Sequence, residues 1–387
     1  MNATSAPLRI AQLNSILAGG GTDNQSLNLA AQLCRLGQNV TLVGPAGRVL
    51  APVVAQLGIP FFDTGREPGR IRFIRRAAEF IRREKIQIVH GHHGQDIWPT
   101  ILAARLAGTH PKLVLTRHLA KSPGSFASRN FLLAQCDAVI AVSEFVAKVL
   151  REGVYEPRSS ERERRARPPL RGDQAKIRVI PAAIDVGRFC PLDAVAKRRE
   201  LGLAPGDYAF ALVGGFNFPR GKGQREFLTA AAQIQRQIPR ARFLIIGQGN
   251  MHDLLKKDIL RLGLDGKAWL TGQVGDMPQV MNAIDCLVHP PLGTEALGLV
   301  VCEAQACGKP VIASTIDGIP EAFNGSGYGE LVAPEDVEAL GAAMVAQATA
   351  PELDAAQIAD MHRRVAEKFS LEQMGLRTLA LYRDLLK

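Results

Sequence analysis

The 387-residue chain has no apolar run of 18 residues, so no stretch of it reads as a membrane-spanning helix. Residues 1–8 have no charged segment leading into an apolar stretch of the length that signal peptides use, so no leader is evident. The cysteines (Cys34, Cys136, Cys190, Cys286, Cys302 and Cys307) form no paired spacing. Most stand in apolar surroundings and read as buried thiols of a reducing cytoplasm. His90, His92 and His93 cluster, but without a neighbouring Cys or acidic frame they do not make a metal site. The spaced Gly-x-Gly-x-x-Gly of dinucleotide sites is missing, and Gly44-Pro45 stands where an acidic residue would take a ribose. An NAD site is therefore disfavoured.

What is present is enough apolar material, 47% of the residues, for two ordinary domains with their own cores. The net charge of +10 is unevenly spread. Residues 1–190 hold 27 Lys and Arg against 14 Asp and Glu, or +13, and the rest hold 20 against 23, or −3. An asymmetry of that kind bears on partners rather than on fold.

Leu8–Leu13 reads as a strand and Asn14–Gly21 as a glycine loop, after which Thr22 or Asp23 is expected to cap a helix through Cys34. Asn39–Val43 is the next strand. Arg70–Lys85 reads as an amphipathic helix with Ile71, Ile74, Ala78 and Ile81 as its apolar stripe. Further strands are expected at Ile86–Val89, Lys112–Thr116, Asp137–Val142 and Ile177–Ile180, with Ser143 capping a helix. Residues 155–176 are rich in charge and poor in apolar side chains, so a mobile surface loop is expected there. A second series begins at Tyr208–Gly215 and continues with strands at Arg242–Ile246, Ala268–Thr271, Cys286–Val288, Val311–Ala313 and Gly329–Val332. The steady alternation of strand and helix predicts parallel sheets in two successive Rossmann-like units, with a boundary near 192.

The most informative stretch is 285–321. It reads strand, loop, helix, strand, with Glu295 in the loop and Glu303 about two turns into the helix that ends at Gly308. That order places the loop at the carboxyl edge of a parallel sheet, where α/β proteins bind ligands. Free amides of Gly298, Leu299 and Val300 at the helix start suit a phosphate. Ionised carboxylates, being hydrogen-bond acceptors only, suit sugar hydroxyls. Arg220 and Lys222 lie in the loop before another helix, where a diphosphate would be neutralised.

Glu295-x-x-Gly298-Leu299-x-x-x-Glu303, followed by Ala304 and Gly308-Lys309-Pro310-Val311-Ile312-Ala313-Ser314, resembles the retaining glycosyltransferases of family 4. The resemblance covers nearly the whole chain. It implies a GT-B fold, an α/β architecture with two Rossmann-like domains facing each other across a cleft. Residues 1–191 would be the acceptor-side domain, 192–369 the nucleotide-sugar domain, and 370–387 a helix crossing back to the first. The resemblance also assigns roles. Glu303 would hold the nucleotide ribose and Glu295 the donor sugar's hydroxyls. Lys222 would neutralise the departing diphosphate together with Arg220, which substitutes for an Arg that the family places where Asn217 stands. His118 would contact the transferred sugar, while His90 and His92 match a His-x-His on the acceptor side. Gly20 and Gly21 would approach the donor phosphate, with Gly215, Gly247 and Val274 further contacts of the nucleotide. The hinge pattern at 180–191 carries Ala182-Ala183 in place of Asn-Gly.

The expected activity is transfer of a sugar from a nucleotide-sugar to an acceptor hydroxyl, without a metal or other cofactor, in cell-surface polysaccharide, lipopolysaccharide or glycolipid synthesis. Partners would be the donor, a sugar or lipid-linked acceptor and an anionic membrane surface, with no nucleic acid. Such an enzyme would sit in the cytoplasm, on the inner membrane face. A glycoside hydrolase and a non-enzymatic sugar- or nucleic-acid-binding protein are the competing classes. The motifs do not encode the base, the sugar or the acceptor.

Overall fold

The computed structural model describes residues 6–17, 19–46, 51–65, 70–121, 124–153, 168–218, 221–324 and 328–387. The chain divides into two compact units, the first made of Met1–Ala183 and Leu371–Lys387 and the second of Ile184–Ser370. Residues 184–191 thus go with the second unit, and the boundary lies earlier than the 191/192 junction expected from the sequence.

In the first unit, seven parallel strands run β1 (Arg9–Leu13), β2 (Asn39–Gly44), β3 (Phe61–Asp63), β4 (Ile88–Gly91), β5 (Lys112–Arg117), β6 (Ala138–Ala141) and β7 (Ile177–Val179). Their spatial order is β3-β2-β1-β4-β5-β6-β7. The central strands β4 and β6 are buried along their whole length, as a parallel sheet covered by helices on both faces requires. Helix Leu371–Leu385 joins this core through Met374, Leu379, Leu381 and Tyr382. It meets helix Gly21–Arg35 at close range: a Cβ on Gly375 would lie 2.6 Å from Gln32 Cγ.

The second unit has six parallel strands, β8 (Tyr208–Val213), β9 (Ala241–Ile246), β10 (Ala268–Gly272), β11 (Cys286–His289), β12 (Val311–Ser314) and β13 (Gly329–Val332). Their order is β10-β9-β8-β11-β12-β13. Phe210, Phe227 and Phe243 pack at the centre of its core, and each of these six strands lies within or one residue beyond the apolar run that predicted it, as the short buried strands of such sheets do.

Three local expectations need correction. Neither Thr22 nor Asp23 caps helix Gly21–Arg35. Gly20 holds the N-cap position, and the Asp23 carboxylate turns back into the preceding loop. Helix Arg70–Arg83 buries Phe73, Ala77, Ala78, Phe80 and Ile81, whereas Ile71 is 68% exposed. Two apolar rows interleave on this helix, and the one carrying both phenylalanines buries more area. Helix Leu299–Ala306 begins late enough that Glu303 stands just over one turn into it, not two. The Ser143 cap forms as expected, its side chain accepting from the Val146 N–H at 3.0 Å. Of the loop expected at 155–176, residues 155–167 lie outside the described residues.

Candidate active site

In each sheet the strand order reverses direction once, between β1 and β4 in the first and between β8 and β11 in the second. The loops leaving the carboxyl ends of those paired strands diverge and open a crevice, the usual ligand site of such sheets. Of the residues singled out in the sequence, Gly20, His92, Gly215, Lys222 and Glu295 fall on these loops, while His118, Gly247 and Val274 follow neighbouring strands.

In the second unit, the loop after β8 carries Lys222 and the loop after β11 carries Glu295. They are brought together: Lys222 Nζ donates to Glu295 Oε1. The loops meet closely because Gly223, at the N-cap of helix Gln224–Ile234, has φ +84° and a Cβ there would lie 2.0 Å from the Pro290 carbonyl oxygen. Buried Gln224 accepts from the Lys222 N–H at 2.7 Å and fixes the turn. His289, the buried last residue of β11, has Nε2 3.6 Å from Glu295 Oε1. Burial works to raise the Glu295 pKa, but His289 and Lys222 outweigh it and bring the carboxyl down to about 2. The Glu295 N–H donates to Asp317 Oδ2 at 3.0 Å, and Asp317 is pushed up to about 6 by burial and by the Glu295 charge. Glu295 is thus a fixed anion within a built cluster.

Glu303 is different. No described residue hydrogen-bonds its carboxylate, and burial raises its pKa to about 7, with Arg188 opposing. Gly298 takes a left-handed N-cap conformation, φ 90°, and no side chain caps the helix, so the first amides of Leu299 and Val300 are spare. Gly215 and Gly247 end the loop sides of β8 and β9, with the Gly247 N–H donating to the Gly272 carbonyl at 2.9 Å. Half-buried Val274 follows β10. Asn217 accepts from the Asn250 N–H at 3.1 Å while Asn250 accepts from the Phe218 N–H at 2.8 Å, so this position ties two loops together. Arg220 lies outside the described residues.

In the first unit, the loop after β1 holds Gly20, with φ 110°, and Gly21. Asp23 is buried, and its carboxylate accepts from Asn14 Nδ2 at 2.7 Å, the Gly19 N–H at 2.9 Å and His93 Nε2 at 2.6 Å. Burial opposes ionisation there, yet these donors hold its pKa below the ordinary value. His118, just beyond β5, has Nε2 3.3 Å from His92 Nδ1. His90 lies deeper, with Nδ1 2.5 Å from the Tyr382 hydroxyl and Nε2 2.7 Å from Thr116 Oγ1. Desolvation drives the pKa of both His90 and His118 down to about 3, so each ring is neutral near pH 7. Ala183 is held by Gln25 through two hydrogen bonds, at 2.7 and 3.0 Å, which anchors the Ala182-Ala183 step.

Sequence reasoning missed the His289 and Asp317 partners of Glu295, and the Asp23–His93 pair. His289 was findable as the final residue of a strand at the ligand edge, whereas Asp317 contacts Glu295 only through chain reversal. Among the described residues, no group of three or more His, Cys, Asp or Glu is arranged to hold a metal ion.

Sequence comparison agrees with this geometry. The model described as Glycosyltransferase Family 4 matches residues 19–160, and that described as Glycosyl transferases group 1 matches residues 208–349. The chain belongs to glycosyltransferase family 4 and has its two-domain α/β fold. Among curated relatives, the D-inositol 3-phosphate glycosyltransferase of Segniliparus rotundus is 36% identical over 46% of this chain and 44% of that protein. The enzyme of the same name from Nocardia farcinica is 33% identical over 68% of this chain and 61% of that one. The matched stretches thus span about half the length of these relatives. Among solved structures, a glycosyltransferase from Rickettsia africae superposes with a TM-score of 0.83 at 22% identity, over 99% of this chain and 100% of that one. Anabaena HepE in complex with UDP and glucose gives 0.78 at 19% identity, over 97% and 100%.

Proposed function

We propose that the chain transfers a sugar from a nucleotide-sugar donor to an acceptor hydroxyl with retention of anomeric configuration and without a metal. The observation that carries this reading is the Lys222–Glu295–His289 cluster beside a helix start with spare amides and a Glu303 whose carboxylate has no hydrogen-bond partner among the described residues. In this reading Glu303 accepts from the ribose hydroxyls and Glu295 from the donor sugar. Lys222 has three donors, so it can keep Glu295 and still neutralise the diphosphate, with the amides of Gly298, Leu299 and Val300 sharing that charge. The neutral His118 ring can donate to or accept from a sugar hydroxyl without adding charge. The family resemblance assigns the acceptor proton to the leaving phosphate on the same face. The complex of HepE with UDP and glucose supports the nucleotide-sugar class.

The first unit's arginines support an anionic acceptor surface on the inner membrane face, in polysaccharide, lipopolysaccharide or glycolipid synthesis. No helix among the described residues is long and apolar enough to cross a membrane, so such an association would be peripheral. Arg70, Arg72 and Arg75 have no partner among the described residues and flank the exposed Ile71, a basic and apolar pairing that suits a lipid interface. Arg82 is committed instead to the Ala107 and Leu106 carbonyls, both at 2.9 Å.

Turnover of UDP-, GDP- and ADP-sugars, with and without acceptor and in excess chelator, tests the reading. Acceptor-dependent transfer that persists in chelator is expected. Hydrolysis of glycosides without nucleotide, or activity that chelator abolishes and Mn²⁺ restores, would overturn it.

A further inference from the structure

The second unit carries a cavity of about 370 Å³ at the amino ends of β8, β11 and β12, where Tyr208, Asp285 and Pro310 line it. The loops of the candidate active site lie past the carboxyl ends of the same sheet, so the transfer chemistry makes no use of this space. Its volume falls within the range of about 300–1,000 Å³ found for small-molecule sites. One wall holds an amine. Gly308, with φ +72°, leads the chain away from helix Leu299–Ala306, and Lys309 follows it. A Cβ on Gly308 would lie 2.6 Å from Ile358 Cγ2, so the backbone that carries Lys309 is packed against helix Ala355–Phe369.

Lys309 differs from the other half-buried lysines. Lys112, Lys197 and Lys222 pair with carboxylates, and Lys176 and Lys267 donate to backbone carbonyls. The Lys309 amine makes no hydrogen bond or ion pair with any described residue. Burial lowers its pKa below the ordinary 10.5 against the pull of Asp285 and Cys307, with Arg198 adding to the fall. Asp285 is itself held by Arg198 at 2.9 Å and by the Ala209 N–H at 2.7 Å, and Asp207 pairs with Arg242 at 2.9 Å. Arg198, Arg240 and Lys309 stand against Asp207, Asp285 and Glu352 around the cavity, so its formal charge is balanced and it has no general preference for anions. What it offers is a nucleophile, a desolvated amine that sheds its proton more readily than a surface lysine. Beside it, Arg240 donates through Nη2 to the Ala348 carbonyl at 2.9 Å and lies 5.4 Å over the Tyr208 ring, which leaves its other N–H groups for a small oxyanion.

We infer that Lys309 is an acylation site that takes its acyl group from a small acyl phosphate, with the phosphate on Arg240. Acetyl phosphate fits whole within the cavity. The amine nitrogen attacks the carbonyl carbon, and the N–C bond forms as the C–O bond to phosphate breaks. Phosphate leaves with the electron pair, and the proton of the amine passes to water. No residue of this wall takes part in sugar transfer, so the site stands apart from that reading.

Incubation of the full chain with acetyl phosphate at pH 8, followed over time by peptide mass spectrometry, tests it. The exposed Lys256 and Lys257 of the same unit serve as internal references. Lys309 should gain acetyl severalfold faster than either, and Lys309→Arg should remove that label while leaving the reference rates and the melting temperature unchanged. Arg240→Gln should slow labelling of Lys309 by acetyl phosphate but not by the uncharged N-hydroxysuccinimidyl acetate, a split that looser packing would not produce. In the native chain, excess inorganic phosphate should protect Lys309 and leave Lys256 and Lys257 unaffected, which makes the test independent of any variant. Labelling of Lys309 no faster than the references would overturn the inference. Equal slowing of both reagents by Arg240→Gln, or no protection by phosphate, would overturn the phosphate contact.

Discussion

Glu303→Gln separates a cost in stability from a role in binding. The carboxyl of Glu303 is raised from the ordinary 4.5 to about 7 because burial penalises its charge and no hydrogen-bond donor among the described residues compensates. A raised carboxyl pKa means that the folded chain keeps a proton which the unfolded chain releases. Its contribution to stability is complete below pH 4.5 and is lost as the pH rises through about 7. The gap corresponds to at most about 3 kcal/mol. The amide has the same shape and does not ionise, so Glu303→Gln should match the native chain at pH 4 and exceed it at pH 8. For a unit of this size the difference is up to about 6–12 °C in melting temperature. Binding should move the other way. Ribose hydroxyls donating to Glu303 favour its ionised form, so UDP affinity of the native chain should rise about tenfold between pH 6 and pH 8. The variant should bind more weakly and with a flatter profile. Asp317 also titrates in this window, so the native-minus-variant difference carries the assignment. Thermal melts and calorimetry at the two ends of the range decide both parts. An unchanged melting difference between pH 4 and pH 8 would refute the burial argument, and a pH dependence of affinity equally steep in native chain and variant would refute the ribose contact.

Lys222→Ala should lower kcat/KM by roughly 10²-fold through loss of a charge partner for the leaving diphosphate, with the fold kept; near-normal activity in a steady-state assay would remove Lys222 from the mechanism. Sedimentation with anionic vesicles should carry the chain down at low salt and release it at high salt, and Arg72→Gln with Arg75→Gln should weaken the association. Equal recovery in the supernatant with neutral and anionic vesicles at low salt would rule the association out.

Most of the fold was legible because twelve of the thirteen strands are short apolar runs between turn signals, a pattern that survives without any knowledge of neighbours; the three-residue β3 (Phe61–Asp63) was too short to be expected. Site residues were legible where a side chain acts from a fixed offset in a strand–loop–helix unit, as Glu295 and Glu303 do. Contacts that depend on distant chain were not. The Lys222–Glu295 pair joins loops from two different strands, and the Tyr382 contact with His90 joins the last helix to the fourth strand. Asp23 shows a subtler limit. An acidic residue near a helix start usually caps it, but here the glycines allow the loop to turn its own amide toward the carboxylate, and His93 completes the set. The Ile71 misreading has a similar origin, since periodicity identifies an amphipathic helix but not which of two apolar rows faces inward.

The helix at 371–385 also sets an order of assembly. The first unit begins the chain yet depends for its core on Met374, Leu379, Leu381 and Tyr382, which leave the ribosome after all of Ile184–Ser370. During synthesis the second unit has its complete sequence first, and the first unit must wait with its sheet and the underside of helix Gly21–Arg35 uncovered. The domain that is made first is finished last, so a nascent chain stalled or cut before Leu371 holds one closed unit and one open, aggregation-prone one.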